Sequence, residues 1–143
     1  MPYYKTTDFH EQLTLYQQTI AYIENVMLEN RDCSFILLLD MNCNLYDRNH
    51  PYSKLLANMM DRFSLKSAFD LIPSFDHRHS YTRSDVKTNS FTLIDGILVS
   101  ESLTDRISNV RISHCGENVS DHSPVELDID LSLSGVTLKR TIP

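Results

Sequence analysis

Five consecutive large apolar residues, Phe35-Ile36-Leu37-Leu38-Leu39, end abruptly on an acid, Asp40. A short run without polar alternation predicts a strand covered on both faces, as in the middle of a sheet. Such a sheet needs layers packed against it, and the flanking sequence supplies them. Upstream, Phe9, Leu13, Tyr16, Ile20, Ile23 and Met27 recur at alternating steps of four and three. That spacing draws a single apolar stripe along a helix from Asp8 to Glu29. Asp8 with Glu11 forms a capping box, and Asn30-Arg31-Asp32 ends the helix. Downstream, the polar segment Asn42 to Pro51 predicts a loop. A second helix follows over Tyr52 to Arg62, with Leu55, Leu56, Met59 and Phe63 facing inward. A shorter apolar stretch, Ala68 to Ile72, stops at Pro73.

The second half changes character. Ser74 to Asn89 is polar, with a short strand around Ser80-Tyr81-Thr82. Thr92 to Val99 predicts a strand on which Leu93, Asp95, Ile97 and Val99 share one face. An acid in that apolar row is costly unless it is paired. Asn109 to His114 is a further strand. Val125, Leu127, Ile129 and Leu131 alternate with Glu126, Asp128 and Asp130, giving a last strand with one wet face. Residues 132–143 read as a frayed tail. Helix, strand, helix and then several strands make an α/β (α+β) layer fold, one sheet carrying helices on one face.

Composition narrows the function. The 143 residues fit one domain, and 41% hydrophobic with 22% charged residues excludes a disordered tail or a coiled-coil rod. No apolar run approaches the roughly 20 residues that cross a bilayer, and the N-terminus has no apolar leader core. A net charge of −6 makes the chain a poor passive binder of nucleic acid but suits a carboxylate-rich metal site. Cys33, Cys43 and Cys115 are odd in number and match no zinc spacing, which points to reduced thiols in an intracellular protein.

Three stretches can carry chemistry. Asp40-Met41-Asn42 follows the apolar strand, and ligands in α/β sheets gather at the carboxyl ends of strands; alone, the same pair is more often a solvated turn. Asp95 is either a salt-bridged strand-end acid or a carboxylate that orients a histidine. Ser120-Asp121-His122-Ser123-Pro124 precedes the last strand. There an Asp offers a hard oxygen to Mg²⁺ and a His offers a donor to a phosphate oxygen, whereas the bland alternative is a turn in which Pro124 sets the strand entry. Arg78, His79, Arg83 and Lys87, with Tyr81 among them, form a modest basic loop that suits a DNA backbone. Asp76 and Asp85 dilute that charge, which favours an ordinary solvated loop. A serine-hydrolase triad is excluded because no nucleophile elbow is present. His10, His50, His77, His79 and His114 lack metal-ligand spacing and read as surface or packing residues.

Taken in order, a strand ending in Asp-x-Asn, a later Ile-Asp strand and a terminal Ser-Asp-His-x-Pro resemble the endonuclease/exonuclease/phosphatase superfamily. The strand Leu93-Ile94-Asp95-Gly96-Ile97-Leu98-Val99 looks most like the endonuclease domains of non-LTR retrotransposons. The resemblance spans about Pro2 to Leu131. It implies half of a four-layer β-sandwich nuclease fold, with one mixed sheet and helices on its outer face. Residues 2–131 would be a partial domain whose N-terminal half is missing, and Pro2-Tyr3-Tyr4 resembles the end of an aromatic-x-Pro element. The implied function is a fragment of a metal-dependent phosphodiesterase, a DNA endonuclease that cleaves with activated water. The second reading is a non-catalytic remnant or binding module of the same fold.

The family's roles carry over residue by residue. Asp40 would orient or deprotonate the water, and Asn42 would hydrogen-bond the scissile phosphate. Asp95 would hold the His122 imidazole, and His122 would stabilise charge on phosphoryl oxygens. Asp121 would help hold Mg²⁺ or Mn²⁺, directly or through water, and weakly if at all, because the family's metal-binding Glu lies in the other half. Separately from these roles, the binding-module reading has Arg78 and Arg83 of the basic loop touching a DNA backbone, and an intracellular setting, the nucleus among the options, suits either reading. The chain departs from the family pattern at Leu39 and Met41, where Gly and Phe are usual, and at Thr92, where Ser is common. It departs again at Gly96, which replaces an aromatic or His and is expected to loosen the packing beside Asp95. The sheet face turned to the missing half would be bare, larger than the apolar patches monomers normally expose, and open to self-association.

Overall fold

The computed structural model describes residues 8–73, 75–114 and 120–131. The expected tail after Leu131, the Pro2-Tyr3-Tyr4 element and Cys115 lie outside the described residues. Helix α1 covers Phe9–Glu29, capped by Asp8, whose side chain accepts the His10 N–H. Strand β1 follows at Ile36–Asp40 and helix α2 at Pro51–Phe63, where Pro51 takes the first helical position that has no need of its N–H. His50 caps α2 through Nδ1, and Ser64 closes it in a left-handed conformation. Both helices match the periodicity, although Phe9, the first residue of the stripe, is exposed and Tyr16, Ile20 and Met27 carry the burial.

Short strand β2, Leu65–Ser67, leads into a 3-10 turn over Ala68–Leu71. Hairpin strands β3 and β4 are Arg83–Asp85 and Ser90–Thr92, and β5 is Asp95–Ser100. Strands β6, Ile107–Ile112, and β7, Val125–Ile129, complete the order. The α/β class is as expected, with helices over one face. The pairing differs from a single mixed sheet: every ladder is antiparallel and the described strands form three sheets, β1-β5-β2, β3-β4 and β6-β7.

Strand β1 is not the middle strand that its apolar run predicts. It lies at the edge of the three-stranded sheet, and β5 is central. The run is apolar because its two faces meet different surroundings. Leu37 and Leu39 pack on the core under α1 and α2, Ile36 touches a second core, and Leu38 is 72% exposed. The strand buried on both sides is β5: Leu98 joins the helix-side core, while Ile97 and Val99 join Ala68, Phe69 and Val110 in the other.

The predicted strand Thr92 to Val99 is two strands. At Leu93 and Ile94 the chain leaves β3 and takes up β1. Thr92 still accepts the Thr82 N–H at 2.9 Å, but the Ile94 carbonyl accepts the Met41 N–H at 2.6 Å. This change of partner bends the route that leads to Asp95. Among the described residues no helix is long and apolar enough to cross a membrane.

Candidate active site

Register places the first two acids together. In the β1–β5 ladder Asp40 stands directly opposite Asp95, and opposed residues of an antiparallel pair project from the same face. Two carboxylates so placed repel, so the site favours a cation or a proton donor between them. The donor comes from the loop before β7. His122 Nδ1 lies 2.8 Å from Asp95 Oδ2, with the ring 33% and the carboxylate 19% exposed. Where the carboxylate is the acceptor, the ring donates from Nδ1, and the contact fixes the orientation of the imidazole against Asp95.

Asp40 is held by its own turn. Asp40 Oδ1 accepts the Asn42 N–H at 3.0 Å, and Asn42 adopts φ 50°, a left-handed conformation that Asn tolerates. Between them Met41 is fixed on both sides. Its N–H reaches the Ile94 carbonyl, and its own carbonyl accepts the Tyr16 hydroxyl at 3.0 Å. Helix α1 therefore holds the Asp40 turn in place. Tyr16 stacks on Tyr52 at 4.0 Å, and burial raises its phenol well above the ordinary value, so it stays a neutral donor. The solvated turn and the candidate site are the same structure, an Asx turn with Asn42 exposed beside Asp40.

Gly96 does not leave the packing loose. A Cβ at Gly96 would come within 2.8 Å of the Met41 methyl, and Met41 is buried. The two departures from the family pattern fill each other's space: the methionine occupies the volume that a side chain at 96 would need.

Asp40, Asp95 and His122 each offer one ligand atom, and these atoms all lie within 4.8 Å of one another. Two carboxylate oxygens and one imidazole suit Mg²⁺ or, given the nitrogen, Mn²⁺. Asp121, the expected ligand, is outside this group. Its Oδ2 accepts the Arg83 Nε–H at 2.9 Å, and that hydrogen bond, with the nearby His122, holds its carboxyl below the usual carboxylate range. Arg83 reaches the site region in this way, and its backbone pairs with His122 as an isolated antiparallel bridge. Arg78 belongs to a local turn, with Nε 3.4 Å from Asp76 Oδ1. Hydrogen bonds from His79 and then from the Arg78 backbone lower the Asp76 carboxyl to about 2.

Sequence reasoning missed two contributors. Tyr16 was legible only as a core residue of the helix stripe. Thr82 was legible only as part of a short strand, because nothing in its neighbourhood marks a threonine as a buried acceptor.

No family model matches the chain, and no curated protein matches it. Solved structures do. A 3′ phosphatase, NExo, from Neisseria, bound to a product DNA hairpin, is similar with a TM-score of 0.67 at 20% identity over 88% of this chain. A 3′-5′ exonuclease, NExo, from Neisseria meningitidis, is similar with a TM-score of 0.68 at 21% identity over 88% of this chain. In both cases the chain spans 56% of the matched structure's length. The chain thus has the fold of these two structures, as the sequence resemblance implies.

Proposed function

We propose that this chain carries the catalytic corner of a metal-dependent phosphodiesterase of the endonuclease/exonuclease/phosphatase type, acting on DNA as an endonuclease. The observation that supports it most is the convergence of Asp40, Asp95 and His122, from two strands and a loop, on one point. A divalent metal held by Asp40 with Asp95 or His122 would supply positive charge against phosphoryl oxygens. The protein groups do the rest. Asp95 holds the His122 ring through Nδ1, and the ring so held would stabilise charge on the phosphoryl oxygens. The Asp40 carboxylate takes the proton of the attacking water, and Asn42 hydrogen-bonds the phosphate. Arg83, held beside the site by Asp121, and Arg78, in its turn with Asp76, are the basic residues proposed to meet the DNA backbone.

In this reading the chain is one lobe of a larger sandwich. Its share of the matched structures' length and the exposed Leu38 on the sheet face below Asp40 support that arrangement. The same face invites self-association. The retrotransposon subtype rests on the sequence resemblance, and with it an intracellular, nuclear setting. A second reading, processing of 3′ ends, is favoured by the two solved structures, named for 3′ phosphatase and 3′-5′ exonuclease activity.

Supercoiled plasmid and a 3′-phosphorylated oligonucleotide, each with Mg²⁺ or Mn²⁺, separate these readings. Nicking by the wild type that falls at least about a hundredfold in His122→Ala is the expected result. Release of phosphate without nicking selects 3′-end processing. Equal nicking by wild type and variant excludes this site, and no turnover on either substrate leaves the non-catalytic remnant.

A further inference from the structure

We infer that Thr82 is a positioning residue that sets Asp95 against His122; the inference rests on the functional reading above only for the use made of that pair. Thr82 is fully buried, with 0% of its surface exposed. Its hydroxyl oxygen accepts two consecutive backbone N–H groups, from Ile94 at 3.0 Å and from Asp95 at 2.9 Å. These are the donors stranded where the chain changes partner between β4 and β5. A buried N–H without an acceptor is costly, and the two lone pairs of one hydroxyl answer both.

The backbone of Thr82 ties in the second half of the pair. Its carbonyl accepts the Ser123 N–H at 2.6 Å, one residue beyond His122. Two residues along, the Ser84 N–H reaches the Asp121 carbonyl at 2.9 Å. Segment 82–84 is thus clamped between the strand that leads to Asp95 and the loop that carries His122. One residue fixes both: Asp95 through its hydroxyl and His122 through its carbonyl. A shift of the 94–95 peptide by a few tenths of an ångström is enough to spoil a 2.8 Å contact between two short side chains. Packing alone does not require an oxygen here, since valine has the same shape. The acceptor is what the position needs.

The experiment compares the wild type with Thr82→Ser, which keeps the acceptor, and Thr82→Val, which keeps the shape. It reads two metal-free signals: the ¹⁵N shifts of the His122 ring at a pH where the ring is neutral, and amide exchange at Ile94 and Asp95. In the wild type the ring should be the Nδ1–H form, and both amides should exchange at least a hundredfold more slowly than exposed amides. Thr82→Ser should stay within threefold in exchange and retain the tautomer. Thr82→Val should speed both amides at least tenfold and shift the ring toward a mixture of tautomers. A folded Thr82→Val with wild-type ring shifts overturns the inference. Should Thr82→Val not fold, unprotected amides in the wild type, or a changed tautomer in Thr82→Ser, overturn it equally. A wild type without phosphoesterase activity defeats the functional reading and leaves these two signals to judge Thr82 alone.

Discussion

At the scale of single residues, the site depends on where polar groups are sent by their neighbours. Asp40 and His122 stood out only through the order of the three motifs, since alone the first reads more often as a solvated turn and the second as a polar turn before a strand-setting proline. Asp121 was legible for the same reason but faces Arg83; adjacent residues point in different directions, and a dipeptide does not say which one turns inward. The cysteines illustrate the same dependence on surroundings. Cys33 is exposed and Cys43 buried, and desolvation raises the Cys43 thiol above its ordinary value. Because the thiolate is the reactive form, iodoacetamide at mildly alkaline pH should label Cys33 well before Cys43. Peptide mass mapping against time checks this, and simultaneous labelling of the two would mean that the Tyr16–Cys43 core opens readily.

Among the elements, the helices were the most legible, because a stripe at steps of three and four admits one solution. The strands were less so. An apolar run cannot distinguish an edge strand with one face open from a central strand, and here β1 lies at the edge while β5 is central. Periodicity was also blind to the change of partner at Leu93 and Ile94, since residues on both sides of it keep alternating. The β6–β7 ladder matches its predicted wet face: Arg111 Nε donates to Glu126 at 3.0 Å, and Ser113 donates to the same carboxylate. The Arg111 hydrogen bond and then that of Ser113 depress the Glu126 carboxyl. A depressed carboxylate contributes stability above its unfolded value, near about 4.3, and loses it as pH falls through the lower folded value. Amide protection along β6 and β7 should therefore weaken below about pH 4, and Arg111→Gln should raise the Glu126 midpoint toward the ordinary carboxylate range, with Ser113 still holding it down in part. A midpoint unmoved in Arg111→Gln, followed by NMR, would show that the pair is not what sets it.

For the whole molecule, the two cores have different completeness. The helix-side core is closed by α1 and α2 around Leu56 and Met59, both fully buried. The opposite face is covered over Ile97 and Val99 by the 3-10 turn and by β6 and β7, but Leu38 stands open at the β1 edge. An open edge strand with a large apolar side chain is a site for strand pairing between copies. Light scattering should accordingly show association that rises with concentration and that Leu38→Asp suppresses while the circular dichroism stays unchanged. A wild-type chain that stays monomeric at high concentration would mean that the face is adequately covered. The resemblance to a longer fold predicts a bare sheet face; on that face Ile97 and Val99 are covered by β6, β7 and the 3-10 turn, and Leu38 is exposed.

Asp40 and Asp95 are proposed to gather one divalent metal, with His122 beside it. Titration with Mn²⁺, followed by paramagnetic broadening of assigned resonances, tests it most directly. The signals of residues 40, 95 and 122 should broaden first, and Asp40→Asn should weaken binding at least about tenfold. Broadening centred on the acids of β7, or binding that Asp40→Asn leaves unchanged, would contradict it.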